Sequence, residues 1–168
     1  MEGEIVNRVA NSPIITVNLE DWYVPGPRHT IDLSQWLEEG LILREKPFRT
    51  ALAAHPWETY RNGLVCLQAP LDVVIPIWAY MLLGSYLESI AKKVVVGSSE
   101  LLETVLFQEQ FHTADLSIYE NRPVIIKGCS KYPVPLSAYV WAIEKIQGVA
   151  KSVLFGEACS AVPIYKKK

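Results

Sequence analysis

Four short apolar runs recur along the C-terminal two-thirds of the chain. They begin at residues 64, 94, 124 and 153, so the intervals between them are 30, 30 and 29 residues. The runs are Leu64-Val65-Cys66-Leu67, Val94-Val95-Val96, Val124-Ile125-Ile126 and Val153-Leu154-Phe155. None of them alternates apolar with polar positions, which is typical of strands covered on both faces in a parallel sheet. The pattern therefore predicts four strands of this kind.

Each of the first three runs is followed by a segment with helical periodicity. Pro76 and Pro135 predict two helix starts, because proline has no N–H and the first helical turn needs none. Ser98 or Ser99 can cap the helix between them, and Gly148 ends the last one. A strand–helix unit of about 30 residues has the length of a βα crossover, whose handedness places helices on the faces of the sheet. The sequence thus predicts an α/β fold with a four-stranded, mostly parallel sheet.

The first sixty residues do not follow this rhythm. Residues 14–17 predict a strand, Asp32 with Gln35 predicts a capping pair before a short helix, and Pro47 predicts the start of another helix. About sixty residues would be only marginally stable alone. We therefore interpret residues 1–168 as a single domain, in which residues 1–62 form an N-terminal α+β flank and residues 63–168 form the βα core.

Composition and charge restrict the possible partners. Of the 168 residues, half are hydrophobic, and 16 basic residues stand against 18 acidic ones, which gives a net charge of −2. Neither disorder nor an electrostatic attraction to nucleic acid or an anionic membrane is indicated. The uncharged run over residues 73–87 is too short for a membrane span, and the N-terminus lacks the basic and apolar regions of a signal peptide. We expect a cytoplasmic protein without a nucleic-acid or membrane partner.

Open parallel sheets bind ligands beyond the carboxyl ends of their strands, so the residues that follow the four runs are candidates for binding. Three of the four strand ends carry a glycine, Gly97, Gly128 or Gly156, which lets the backbone turn tightly and approach a ligand. The predicted binding residues are Gln68, Ser98, Ser99, Gly128, Ser130, Gly156 and Glu157.

Two of these strand ends also carry a cysteine in the same local pattern. Residues 129–134 and 159–164 both read Cys-Ser-x-x-Pro-aliphatic, and Cys129 and Cys159 are 30 residues apart, one βα repeat. If the third and fourth strands are neighbours, about 5 Å apart, the two thiols can converge. Converging thiols suit a metal site, a redox pair or a persulfide carrier. Zinc or iron would need further ligands, for which the chain offers His112, Asp115 and Glu157. The same pair of cysteines from a symmetry-related copy of the chain is the alternative source.

Two other interpretations of the cysteines stay open. Small cysteines after a glycine are common packing residues, and the protein would then be a structural or partner-binding homo-oligomer. In the other, Cys129 is the nucleophile of a small-molecule enzyme, with Ser98, Gln68 or Glu157 placing the substrate. Cys66 lies inside an apolar run and is interpreted as a core residue. The chain has no Cys-x-x-Cys or His-Glu-x-x-His motif and no dinucleotide or Walker A fingerprint.

Five segments of the chain carry a family resemblance: residues 5–10, 41–46, 76–81, 127–131 and 155–160. Together they resemble a bacterial domain-of-unknown-function family, number 2480, found mainly in the Bacteroidetes. The family consists of single-domain proteins of about this length and has no established activity, so the resemblance assigns no catalytic residue. It implies an association with the sulfur-mobilising iron–sulfur assembly system, whose proteins would be the partners. That association favours a thiol function for Cys129 and Cys159.

Overall fold

The computed structural model describes residues 14–128, 131–157 and 160–168. Within these ranges, seven strands and four α-helices follow one another in an order typical of α/β proteins. The strands are β1 (Ile15–Asn18), β2 (Arg28–Asp32), β3 (Leu64–Gln68), β4 (Lys93–Val96), β5 (Pro123–Lys127), β6 (Ser152–Phe155) and β7 (Val162–Lys166). The helices are α1 (Glu45–Ala54), α2 (Ile77–Leu87), α3 (Ser99–Thr113) and α4 (Leu136–Ile146).

The strands form two sheets. One has the order β1-β5-β6-β7, in which only β7 is antiparallel, and the other is the parallel sheet β2-β3-β4. The predicted α/β class with a four-stranded, mostly parallel sheet is therefore confirmed. The four apolar runs are all strands, but β3 and β4 lie in one sheet and β5 and β6 in the other. The reason is that β1 and β2, from the segment predicted as a flank, pair with β5 and β3.

The helix starts follow the predicted capping signals. Helices α2 and α4 begin directly after Pro76 and Pro135, and the Ser98 hydroxyl accepts a hydrogen bond from the Leu101 N–H at the start of α3. Helix α1 begins two residues before Pro47, which still lies in the first turn, where no N–H donor is needed. In the described part of the chain, no helix is long and apolar enough to span a membrane.

The chain divides into two compact units, each with its own core. Unit 1 consists of Met1–Val24 and Leu106–Lys168, and unit 2 of Pro25–Val105, so the boundary lies inside α3. The core of unit 1 includes Val17, Leu19, Phe107, Val124, Ile126, Ala138, Ala142 and Ile146. The core of unit 2 includes Ile31, Leu33, Phe48, Val65, Leu67, Ala79, Leu83 and Leu87. Each of these two cores therefore consists of side chains from a single unit.

The two units are copies of one pattern. Residues 60–97 of unit 2 align without a gap with residues 119–156 of unit 1, an offset of 59 under which β3, α2 and β4 coincide with β5, α4 and β6. Ten of the 38 aligned positions carry the same residue. These pairs are Tyr60/Tyr119, Asn62/Asn121, Val65/Val124, Pro76/Pro135, Ala79/Ala138, Tyr80/Tyr139, Ala91/Ala150, Lys92/Lys151, Val94/Val153 and Gly97/Gly156. The chain thus contains an internal repeat.

The repeat extends to backbone detail. Asn62 and Asn121 both adopt the left-handed conformation, with φ of 57° and 53°. The Asn62 N–H donates to the Ile90 carbonyl at 2.8 Å, and the Asn121 N–H donates to the equivalent Val149 carbonyl at 2.9 Å. The two copies therefore turn into their first core strand in the same way.

The first strands of the two units repeat as well, at a different offset. Residues 16–22 and 30–36 share the pattern Thr-aliphatic-(Asn or Asp)-Leu-x-x-Trp. The Asn18 and Asp32 side chains each cap a short 3-10 turn by accepting a backbone N–H two residues on. Because this strand of unit 1 precedes unit 2 and the rest of unit 1 follows it, unit 2 is inserted into unit 1.

Candidate functional site

The predicted thiol site depends on two strands being neighbours, and they are. Strands β5 and β6 are adjacent and parallel, and Ile126 pairs with Phe155 near their carboxyl ends. Cys129 follows the last residue of β5 by two positions, and Cys159 follows the last residue of β6 by four. Cys129, Ser130 and Cys159 themselves lie outside the described residues. The structure thus brings together the strand ends from which both cysteines continue.

An ion pair joins these two strand ends. The Lys127 ammonium, 30% exposed, donates to Glu157 Oε2 at 2.6 Å. Gly156, with φ of 112°, makes the turn that leads from β6 to Glu157. Glu157, a predicted binding residue, therefore lies at the expected edge, with its carboxylate engaged by a lysine of the neighbouring strand.

The segment after Cys129 is held by a carboxylate from the first strand region. Glu20 Oε1 accepts the backbone N–H groups of Lys131 at 2.6 Å and Tyr132 at 3.0 Å. The Tyr132 ring stacks on Tyr23 with centroids 4.1 Å apart. The chain on both sides of Cys129 and Ser130 is thus fixed, by β5 and by Glu20. Sequence reasoning missed this contact, because backbone donors more than a hundred residues away leave no pattern.

An almost wholly apolar cavity of about 470 Å³ opens at the same edge. It is lined by Ile126, Leu136, Tyr139, Ile143, Phe155 and Ile164. The Tyr139 hydroxyl approaches Gly128 so closely that a β-carbon there would lie 2.4 Å from it. Gly128, a predicted binding residue, is therefore a packing requirement for Tyr139. The cavity can take up the apolar part of a ligand or partner.

The other predicted binding residues lie at the edge of the second sheet. Gln68 and Ser98 line a cavity of about 640 Å³ with Asp32, Tyr80 and Gly97. The Ser98 hydroxyl caps α3, and hydrogen bonding to it lowers the pKa of Glu100. Ser99 is the first residue of that helix. Gln68 and Ser98 are thus brought together, in a different sheet from β5 and β6.

The edge cavities of the two units are equivalent under the repeat. Three lining positions correspond: Leu67 to Ile126, Tyr80 to Tyr139, and Val96 to Phe155. The polar side chains Asp32, Gln68 and Ser98 of the unit 2 cavity have no counterpart among the described residues that line the unit 1 cavity. Each unit therefore has a cleft at the equivalent place, and the two clefts differ in the residues at the ends of their strands.

The further metal ligands considered in the sequence lie elsewhere. His112, in the last turn of α3, lines a cavity of about 330 Å³ with Trp141, Glu144 and Lys145. The α4 residues that line the edge cavity are different ones, Leu136, Tyr139 and Ile143. The Asp115 carboxylate accepts the Ser117 N–H at 2.9 Å, which lowers the pKa of Asp115. Within residues 14–128, 131–157 and 160–168, no group of three or more metal-ligating side chains occurs.

Unit 2 contains a histidine–aromatic cluster that the sequence did not indicate. His55 Nε2 lies 2.9 Å from the Tyr60 hydroxyl, and the His55 ring packs against Trp57 and Trp36. Burial lowers the pKa of His55 and raises that of Tyr60. His29 Nε2 is buried beside Tyr60 without a hydrogen-bond partner among the described residues. Unit 1 has Ala114 and Ile15 at the positions equivalent to the two histidines.

One comparison with known proteins gives a match. A family model described as "Protein of unknown function (DUF2480)" matches residues 3–167, nearly the whole chain. Neither a curated protein nor a solved structure is significantly similar to the chain. The family description names no activity, so a function has to be argued from the strand ends and the cavity beside them.

Proposed function

We propose that this chain, which belongs to the DUF2480 family, is a thiol-based accessory protein that handles a metal ion or sulfur for iron–sulfur cluster assembly. The observation that carries the proposal is that β5 and β6, which lead to Cys129 and Cys159, are adjacent and parallel. The proposal places the protein in the cytoplasm, where thiols stay reduced.

The neighbourhood of the strand ends favours reactive thiols. Neighbouring strands lie about 5 Å apart, a separation that two cysteine side chains can bridge. Lys127 lies two residues before Cys129, and its ion pair with Glu157 keeps the ammonium at this edge. A nearby ammonium stabilises a thiolate relative to a thiol.

Two thiolates can bind a metal ion or a sulfur atom, here called the cargo, and release it to a partner protein. Zinc and iron in thiolate sites take about four ligands, so two cysteines leave positions for a partner protein. Sulfur transfer needs only one thiolate, which attacks the outer sulfur of a donor persulfide. The donor's S–S bond breaks, the donor leaves as a thiolate, and the cysteine becomes a persulfide. The apolar cavity beside the strand ends would receive part of a sulfur or iron–sulfur assembly protein.

The test is to identify the cargo on protein purified without oxygen. Elemental analysis would measure zinc and iron, and alkylation followed by mass spectrometry would locate persulfides on individual cysteines. We expect metal or persulfide at Cys129 or Cys159, lost in Cys129→Ser and Cys159→Ser. The matched control is Cys66→Ser, because Cys66 is 1% exposed in the middle of β3 and should not affect the cargo.

Absence of metal, absence of persulfide and slow alkylation of Cys129 and Cys159 in the native protein would overturn the proposal. The cysteines would then be packing residues of a structural or partner-binding protein. Turnover of a small molecule that depends on Cys129 alone would instead favour the enzyme interpretation.

A further inference from the structure

The repeat shows that one strand edge is covered in unit 1 and open in unit 2. Strand β6 has β7 on its outer side, in antiparallel register, with Val153 opposite Tyr165 and Phe155 opposite Val162. Its equivalent β4 is the last strand of the sheet β2-β3-β4. No strand of the described residues pairs with the outer side of β4.

The backbone of β4 shows which groups face outward. The Gly97 N–H donates to the Leu67 carbonyl at 2.9 Å, so Gly97 faces β3. Because successive residues of a strand point their N–H and C=O groups to opposite sides, Val95 also faces β3, and Val94 and Val96 face away. Their equivalents on β6 are Val153 and Phe155, the positions that face β7. The Val96 side chain, at the end of this edge, is 50% exposed.

We propose that β4 pairs antiparallel with β4 of a second copy of the chain, about a two-fold axis at Val95. In this register Val94 lies opposite Val96 of the partner subunit, and the pair exchanges both of its N–H···O bonds. Val95 lies opposite its own copy in a non-hydrogen-bonded pair. The β2-β3-β4 sheets of the two copies then form one continuous sheet.

A second copy fits this edge better than an unrelated strand for four reasons. The edge is self-complementary, because the two outward residues are placed symmetrically about Val95 and all three are β-branched, which favours strand pairing. Lys93 falls opposite Gly97 of the partner subunit, so like charges do not meet. The antiparallel direction is the one that the equivalent edge of β6 already accepts. The contact closes with two-fold symmetry and leaves no edge of β4 to extend into fibres.

The expected dimer is weak. A strand of four residues gives an interface below the size of about 1,200 Å² that is usual for stable complexes, so a dissociation constant in the micromolar range follows. The pairing uses no cysteine, so it does not depend on the proposed function.

The test is sedimentation of the full chain at concentrations from about 1 to about 100 μM, which bracket such a constant. We expect the mass to rise from one chain to two. Val96→Pro should weaken the dimer by at least about tenfold, because it removes an outward N–H that β3 does not use. Val96→Thr, which keeps the N–H and the branched side chain, should leave the dissociation constant within a factor of about three.

A cross-link keeps the proposal testable if Val96→Pro fails to fold. In a Cys66→Ser, Cys129→Ser, Cys159→Ser background, which also removes the cysteine that pairs with Val95 on β3, Val95→Cys should give a disulfide-linked dimer on mild oxidation, since opposite non-hydrogen-bonded positions lie within disulfide reach. Thr16→Cys, an exposed position on the edge strand β1, should give none. A chain that stays monomeric throughout, or a dimer without the Val95→Cys cross-link, would overturn the proposal. Capture of an unrelated strand by a monomeric chain would do so as well.

Discussion

Unit 1 and unit 2 share a scaffold and differ at the ends of their strands. The residues common to both copies form turns, helix starts and cores, such as Asn62 and Asn121 or Ala79 and Ala138. The cysteines are not shared. Under the offset of 59, Cys129 corresponds to Pro70 and Cys159 to Glu100. A repeated fold therefore shows which residues hold the structure and which are special to one copy, and Cys129 and Cys159 belong to unit 1 alone.

The same comparison supports the interpretation of Cys66 as a core residue. Its equivalent in unit 1 is Ile125, and both side chains are 1% exposed in the middle of a strand. An aliphatic side chain serves the same position, so no thiol chemistry is needed to explain Cys66. Its contact with the Thr30 hydroxyl, at 3.2 Å, completes its packing.

The largest expected effect is the loss of stability when a core phenylalanine of either unit is replaced by alanine, which tests whether the two cores are equivalent. Phe48 and Phe107 are also 59 residues apart, the offset of the repeat, and are 1% and 0% exposed. Phe48→Ala and Phe107→Ala should each lower the free energy of unfolding by about 3–5 kcal/mol, because each leaves a cavity. Urea denaturation followed by circular dichroism measures this. The exposed Lys46→Ala should stay within about 0.5 kcal/mol, and a cost below about 1 kcal/mol for either phenylalanine would show that its core does not depend on it.

A second prediction concerns the shared tyrosine pair Tyr80 and Tyr139, which differ in the residue beside the ring. Tyr139 packs on Gly128, whereas the equivalent neighbour of Tyr80 is Ala69. Gly128→Ala should lower the free energy of unfolding by about 1–3 kcal/mol, because the new methyl group overlaps the Tyr139 hydroxyl. Adding Tyr139→Phe should remove part of this cost in a double-mutant cycle.

Gly148→Ala is the control for that cycle, since a β-carbon there makes only an ordinary contact of 3.7 Å. Equal costs for Gly128→Ala and Gly148→Ala would contradict the close approach of Tyr139. So would a double variant as unstable as the sum of the two single ones.

A third prediction tests the anchor that only unit 1 has. Glu20→Ala should lower the free energy of unfolding by about 1–2 kcal/mol, because two backbone N–H groups lose a charged acceptor. Hydrogen exchange at the amides of Lys131 and Tyr132 should become faster. Ser34→Ala, at the equivalent position of unit 2, should change stability by less than about 0.5 kcal/mol. Unchanged exchange at both amides in Glu20→Ala would show that the segment is held by something else.

The smallest expected effect is a pH dependence confined to unit 2. Burial lowers the pKa of His55 in the folded chain below its unfolded value of about 6.5, so below that pH the unfolded chain binds more protons. The stability contributed by neutral His55 is therefore complete above about pH 6.5 and is lost as the pH falls through the folded pKa. Urea denaturation at several pH values should show this loss, and His55→Gln should reduce it. His112→Gln, at an exposed position, should not, and an unchanged slope in His55→Gln would exclude His55 as its source.

The apolar runs predicted the strands and the class of fold correctly, since a buried parallel strand leaves a local signal of continuous aliphatic residues. They could not predict which strands pair. The spacing from β4 to β5 looks like one more crossover, but the helix between them, α3, leads from one unit to the other. The pairing of β1 with β5 and of β2 with β3 is a non-local property that the regular spacing concealed.

The candidate site was predictable only in part. The repeated Cys-Ser-x-x-Pro pattern and the parallel strands placed two cysteines at one edge, and the adjacency of β5 and β6 meets that condition. Glu20 and Tyr139 could not be found from the sequence, because one acts on backbone groups and the other through shape. Gln68 and Ser98 were expected beside the cysteines, and they belong to the other sheet because that sheet is built by the inserted unit.

The insertion also fixes an order in which the chain can become structured. All strands of unit 2 lie between residues 28 and 96, so unit 2 has its complete sheet long before β5 leaves the ribosome. Strand β1 has to wait for a partner more than a hundred residues later, and closing that loop costs more chain entropy than closing the shorter one between β2 and β3. Unit 1, the unit that carries the cysteines, is thus the last to form during synthesis. A cargo that needs both strand ends can be bound only after β6 has been synthesised.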